Sequence, residues 1–196
     1  MNTFTIIALV AAGAVVLWAI LAYNHFVTLT QRAKEAWADI DVQLKRRYDL
    51  IPNLIETVKG YAAHERGTFE EVTAARATAT QVHVDPTNIT PEQIQAMAAA
   101  EGALTNSLGK LLAIAENYPD LKASTNFVEL QRELTDTENK IQAARRFYNG
   151  NVRDLAIALQ SFPSNIIGNI FNFKEREYFE LGEDEQAAKE PVRVSF

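Results

Sequence analysis

The chain has no cysteine, which excludes disulfides, thiolate zinc sites and cysteine nucleophiles. Histidine is scarce: His25, His64 and His83 are the whole set, and His25 adjoins a long apolar run, so a three-histidine metal site is not supported. His64-Glu65 opens like a helical zinc-protease signature, but Thr68 stands where the second histidine is required. Gly102 to Lys110 ends in Gly-Lys, yet six residues separate its glycines and Leu111 follows. A phosphate loop needs a shorter spacing and a hydroxyl after the lysine. No G-x-S-x-G elbow is present. Basic excess is lacking too, since 19 Lys and Arg face 25 Asp and Glu for a net charge of -6. Such a balance matches phosphate backbones poorly, so nucleic acid is not expected as a partner. The residues therefore supply no catalytic constellation and no cofactor site, and the chain is read as a protein that is not an enzyme.

Charge itself is missing from the first 31 residues, and Thr5 is the one polar residue between Phe4 and Ala22. As a helix that run reaches roughly 29 Å, about the thickness of a bilayer core. A cleaved signal peptide would show a basic start, a shorter apolar core and a small-x-small cleavage site. Met1-Asn2-Thr3 has no basic residue, and Tyr23-Asn24-His25-Phe26 follows the run. Residues 1–28 are accordingly read as a transmembrane anchor, with Trp18 and Tyr23 near its end either as interfacial aromatics or as ordinary hydrophobic filling. Ala8 and Ala12 form a small-xxx-small pair that would allow spans to associate. Arg32, Lys34 and Lys45-Arg46-Arg47 follow the span. The positive-inside rule then puts the N-terminus outside and the body in the cytoplasm.

The fold class expected for the rest is all-α, a long antiparallel bundle of three main helices plus a short C-terminal helix over residues 29–174. Trp37, Ile40, Leu44, Tyr48, Ile51, Leu54, Val58 and Tyr61 recur at helical steps, and Phe69 and Val72 resume the stripe. Pro52 inside this pattern predicts a kink near Tyr48 or a new start capped by Asp49. Val82 to Pro91 breaks the periodicity and reads as a loop. Thr90-Pro91-Glu92-Gln93 predicts a capping box opening the second helix. That helix carries a seven-residue repeat in which Glu101 is the odd member, and Pro119 ends it. The third runs from Phe127 to Leu159 with Thr137 at a seam position. Residues 175–196 are rich in Asp and Glu and are read as a flexible acidic tail.

Two groups of residues stand out as candidate sites. Asp41, Arg46 and Arg47 on the first helix, Glu116 ending the second, and Glu138, Asn139, Arg145 and Asn149 on the third could meet as an interhelical polar network. Such a network would fix register more than add stability. Ile166, Ile167, Ile170, Phe171 and Phe173 form a short apolar segment that either closes the bundle or docks a neighbour. If the first helix leaves the bilayer without a break at Pro52, the second returns towards it and the third runs away again, so this segment is expected far from lipid.

Several strings carry a family likeness. They are Tyr23-Asn24, AWADIDVQLKRRYDLIPNLIETVKGYAAHE from Ala36, AENYPDLKA from Ala115, FVELQRELTDTENKIQAARRFYN from Phe127, FPSN from Phe162 and KEREYFEL from Lys174. In this order they resemble the LemA family of bacterial membrane proteins. The resemblance implies a single-pass anchor in the bacterial inner membrane with its N-terminus outside, and a helical-bundle body. It also suggests a membrane zinc metalloprotease of the HtpX type as a partner, and supplies no reaction, cofactor or catalytic residue. The expected function is a membrane-anchored structural or adaptor protein that contacts the lipid bilayer, forms a homo-oligomer and engages a membrane partner. The alternative is a sensory module binding a small ligand or peptide within the bundle.

Overall fold

The computed structural model describes residues 2–179, and among these all regular structure is helical. The order is α1 (Thr3–Lys59), α2 (Arg66–Gln81), α3 (Pro91–Ala115), α4 (Pro119–Lys122), α5 (Thr125–Gln160) and α6 (Ser164–Ile170). Among the described residues α1 is the one helix long and apolar enough to cross a membrane, and its apolar N-terminal part is exposed apart from the half-buried Ala19 and Ala22. The expected acidic tail beyond residue 179 lies outside the described residues.

α1 is continuous for 57 residues and includes Pro52, so no new helix starts at Asp49. The physical reason is a replacement partner. Pro52 has no N–H to give the carbonyl of Tyr48, and Arg76 Nε on α2 donates to that oxygen at 2.7 Å. The same bond fastens α2 to α1.

The expected first body helix is in fact two. The chain reverses between Gly60 and Glu65, and α2 folds back along α1. Phe69 and Val72 keep the apolar phase of α1 across the reversal, which hides it in a periodicity reading. The bundle therefore has four long members, α1, α2, α3 and α5, running alternately up and down. α3 begins with the expected capping box: Thr90 Oγ1 accepts from Gln93 N, and Gln93 Oε1 accepts from Thr90 N.

Three stacked layers fill the interior. Ile51, Leu54, Val58, Leu104, Leu111 and Phe127 make the distal one. Trp37, Ile40, Leu44, Met97, Ile141 and Tyr148 make the middle one, where the rings of Trp37 and Tyr148 meet edge to face at 5.2 Å. Phe26, Leu29, Leu155 and Ile167 close the proximal end, with Ala19 and Ala22 against them. Thr137 is fully buried at its seam position and returns its hydroxyl to the Glu133 carbonyl at 2.8 Å, which leaves it without an unmet donor.

A fourth long helix changes where α6 sits. α5 descends along α1, and α6 lands beside Ala19, Ala22 and Phe26 at the foot of the apolar segment. The segment Ile166 to Phe173, expected at the end of the bundle remote from the apolar run, is thus brought to the same end as that run by one extra reversal of the chain.

Candidate functional site: a polar layer and a cleft

Between the distal and middle layers the apolar seam is interrupted at one height. Arg47 falls on the inward row of α1 between Leu44 and Ile51, only 2 % exposed. Glu101 falls on the inward row of α3 between Met97 and Leu104, 8 % exposed. Arg47 Nη2 donates to Glu101 Oε2, and Nη1 donates to Glu138 Oε2 of α5 at 2.7 Å. Tyr48 Oη donates to Glu101 Oε1. One guanidinium thus ties α1 to α3 and α5 through charge-assisted bonds. Arg47 Nε is buried without a hydrogen-bond partner. Burial, together with the Glu101 carboxylate, holds the Tyr48 hydroxyl well above the ordinary tyrosine range.

Beside this layer α3 and α5 stand apart, and a cleft of about 410 Å³ opens with Arg47 and Leu44 on its floor. Ala98, Ala99, Gly102 and Ala103 of α3 form one wall, while Glu138, Ile141 and Arg145 of α5 form the other. Small side chains keep the α3 wall low. Phe179 closes one end, and the Arg145 guanidinium lies 4.3 Å from the centre of its ring.

Phe179 arrives there by a route that the sequence did not reveal. After α6 the chain climbs back along α5 in extended form. Gln160 Nε2 donates to Glu175 Oε1 at 2.9 Å, and Tyr148 Oη donates to the Glu177 carbonyl at 2.8 Å. Asn149 makes reciprocal bonds with Phe179, Nδ2 to its carbonyl at 3.0 Å and Oδ1 from its N–H at 2.8 Å. Residues 175–179, assigned above to the flexible tail, are therefore strapped to the bundle.

Of the expected polar network, the structure joins Arg47 to Glu138 and sets Arg145 and Asn149 around Phe179. Asp41, Arg46, Glu116 and Asn139 are exposed, and Asp41 feels His83 more than any partner on α5. Glu101, Tyr48 and Phe179 were absent from the expected set. Glu101 had shown itself as the odd member of a heptad, and the four-three spacing Ile40, Leu44, Arg47, Ile51 would equally have marked Arg47 as internal. Of the apolar segment, Ile167 is buried and Phe173 stacks on Phe26 at 5.0 Å. Ile166, Ile170 and Phe171 remain exposed.

Burial pushes Tyr148 up to about 12 from 10.0. Above pH 10 the unfolded chain releases this proton while the folded chain keeps it, so stability is full below pH 10 and falls as pH rises towards 12. Tyr148→Phe should lower stability near neutrality by about 1 kcal/mol, through loss of the bond to Glu177. It should also make the alkaline decline shallower than in the parent. Denaturant midpoints measured across that pH range for both chains test this, and parallel curves would refute it.

Residues 36–196 match the model of the LemA family. The chain is 26 % identical over 177 residues to the magnetosome protein MamQ of Magnetospirillum gryphiswaldense, covering 82 % of this chain and 65 % of that protein. A second relative, magnetosome protein MamQ 2 of Paramagnetospirillum magneticum, is 24 % identical over 196 residues, covering 91 % and 72 %. The protein LemA of Metamycoplasma hominis is 25 % identical over 163 residues, covering 83 % and 71 %. The chain belongs to the LemA family.

Proposed function

We propose, from this membership of the LemA family, that the chain is a membrane-anchored structural and adaptor protein. It self-associates and engages a membrane partner through the cleft between α3 and α5. The observation that carries the reading is the continuity of α1 from an exposed apolar segment to the floor of the cleft. From Ala22 to Arg47 an unbroken helix rises about 38 Å, so the cleft is held at a set height above the bilayer. Tethering at fixed height raises the effective concentration of other membrane proteins for that surface. Arg32 and Lys34 just after the span favour a cytoplasmic body and an exterior N-terminus. A metalloprotease of the HtpX type is the partner to test first, on the family resemblance.

A photocrosslinker at Ala99 or Asn106 on the cleft wall, with one at Thr78 on the outer face of α2 as reference, tests the proposal in intact membranes. Ala99 and Asn106 should give discrete adducts with a second copy and with a membrane protein, and Thr78 should not. Equal, diffuse labelling at all three positions would contradict it.

One observation favours a second reading, a sensory module. The cleft volume suits a small ligand, and the unpartnered Arg47 Nε offers such a ligand a donor. A small-molecule mass retained by the detergent-released monomer, in place of protein adducts, would decide for that reading.

A further inference from the structure

We propose that α6 and the end of α5 form a second membrane contact, a lipid-embedded foot beside the span. Phe162, Ile166, Ile170 and Phe171 lie in the boundary between headgroups and acyl chains. The inference rests on α1 crossing a bilayer, which the proposed function also uses, and on nothing about the partner.

Depth is the first argument. α6 packs on Ala19, Ala22 and Phe26, and Ala19 lies about one helical turn inside the apolar run that ends at Ala22. Gly168 makes the fit close: a Cβ there would stand 2.8 Å from Leu159 Cδ2 and 3.4 Å from Phe26 Cζ. Tyr23 meets the rings of Phe171 at 4.7 Å and Phe173 at 5.6 Å. A segment fixed to the end of the span at this level cannot avoid the interface if α1 spans.

Charge is the second argument. Leu155 to Phe173 holds 19 residues without Asp, Glu, Lys or Arg, a second such stretch besides the N-terminal one. The contacts Arg47 to Glu138 and Trp37 to Tyr148 define one antiparallel register of α1 and α5. In that register Arg32, the first charge on α1, stands level with Arg153, beside Asp154, the last charges on α5 before the free stretch. Both helices thus lose charge at the same height, as a shared polarity boundary requires.

Composition is the third. The outward residues are large and apolar, with Phe162 82 % and Ile170 67 % exposed, while Ser161, Ser164, Asn165, Asn169 and Asn172 intervene. Neutral polar groups among aromatic and branched side chains suit the headgroup boundary, about 5–10 Å into the lipid, and not its centre. The foot ends in a tight reversal. Asn172 takes φ 55°, and the N–H groups of Asn172 and Phe173 return to the carbonyls of Asn169 and Gly168. This directs Lys174 and the strap back up the body.

The absence of native cysteine allows single-site labelling of the full chain in vesicles of phosphatidylethanolamine and phosphatidylglycerol. An environment-sensitive fluorophore is placed at Ile170→Cys, Phe162→Cys, Tyr61→Cys or Val10→Cys, with nitroxide lipids as quenchers. Labels at 170 and 162 should shift to the blue and lose most of their emission to shallow nitroxides, while the label at 61 is unaffected. Quenching of 10 by deep nitroxides with none at 170 or 162 would overturn the foot and leave the span intact. No quenching at 10 would overturn the span, and the foot and adaptor readings with it. Emission loss at 170 that vanishes on dilution with unlabelled chain, whatever the lipid, would assign the face to a second copy and overturn the proposal.

Discussion

Replacing Arg47 with alanine should remove about 3–5 kcal/mol of folding stability, the cost of leaving a buried carboxylate without its partner. Glu101 is nearly buried and relies on Arg47 and Tyr48 for its bonds. Without the guanidinium its charge keeps only the Tyr48 hydroxyl as partner. That loss is a large share of the 5–15 kcal/mol that holds a typical domain together. Arg47→Lys should recover only part of it, because an ammonium cannot present the same fork to Glu101 and Glu138. Arg47→Met combined with Glu101→Leu should recover more, since removing both charges removes the desolvation penalty with the pair. Denaturant unfolding followed by circular dichroism separates these cases. A single Arg47→Ala change worth less than about 1 kcal/mol would mean that the polar layer is solvated as surface pairs are.

Much of this fold is legible in the sequence because burial along a helix is written directly as a 3.6-residue period. The stripes around Ile40, Leu104 and Ile141 are the core that the structure displays. The capping box at Thr90 is equally direct, since all its partners lie within three residues. What escapes is whatever depends on a distant partner. Pro52 signals a break locally, but Arg76 supplies the bond it lacks. The reversal at Gly60 to Glu65 leaves the apolar phase undisturbed, so periodicity passes over it. That reversal alone decides whether α5 ends beside the apolar segment of α1 or at the opposite end of the bundle. The strap from Lys174 to Phe179 looks like the start of a charged tail, yet Tyr148 and Asn149 hold it through backbone groups that carry no sequence signature. Arg47 was placed with the polar residues by type, while its spacing already placed it inside.

The account depends on the parity of the bundle: four long helices bring α6 back to the apolar segment of α1. A short bifunctional thiol reagent acting in membranes on Tyr23→Cys paired with Phe171→Cys measures this directly, with Tyr61→Cys paired with Phe171→Cys as the opposite arrangement. The rings of Tyr23 and Phe171 lie 4.7 Å apart, so the first pair should give an intramolecular link in nearly every chain and the second none. A link between residues 61 and 171, with residue 23 left unjoined, would contradict the fold's placement of α6 beside the apolar segment of α1.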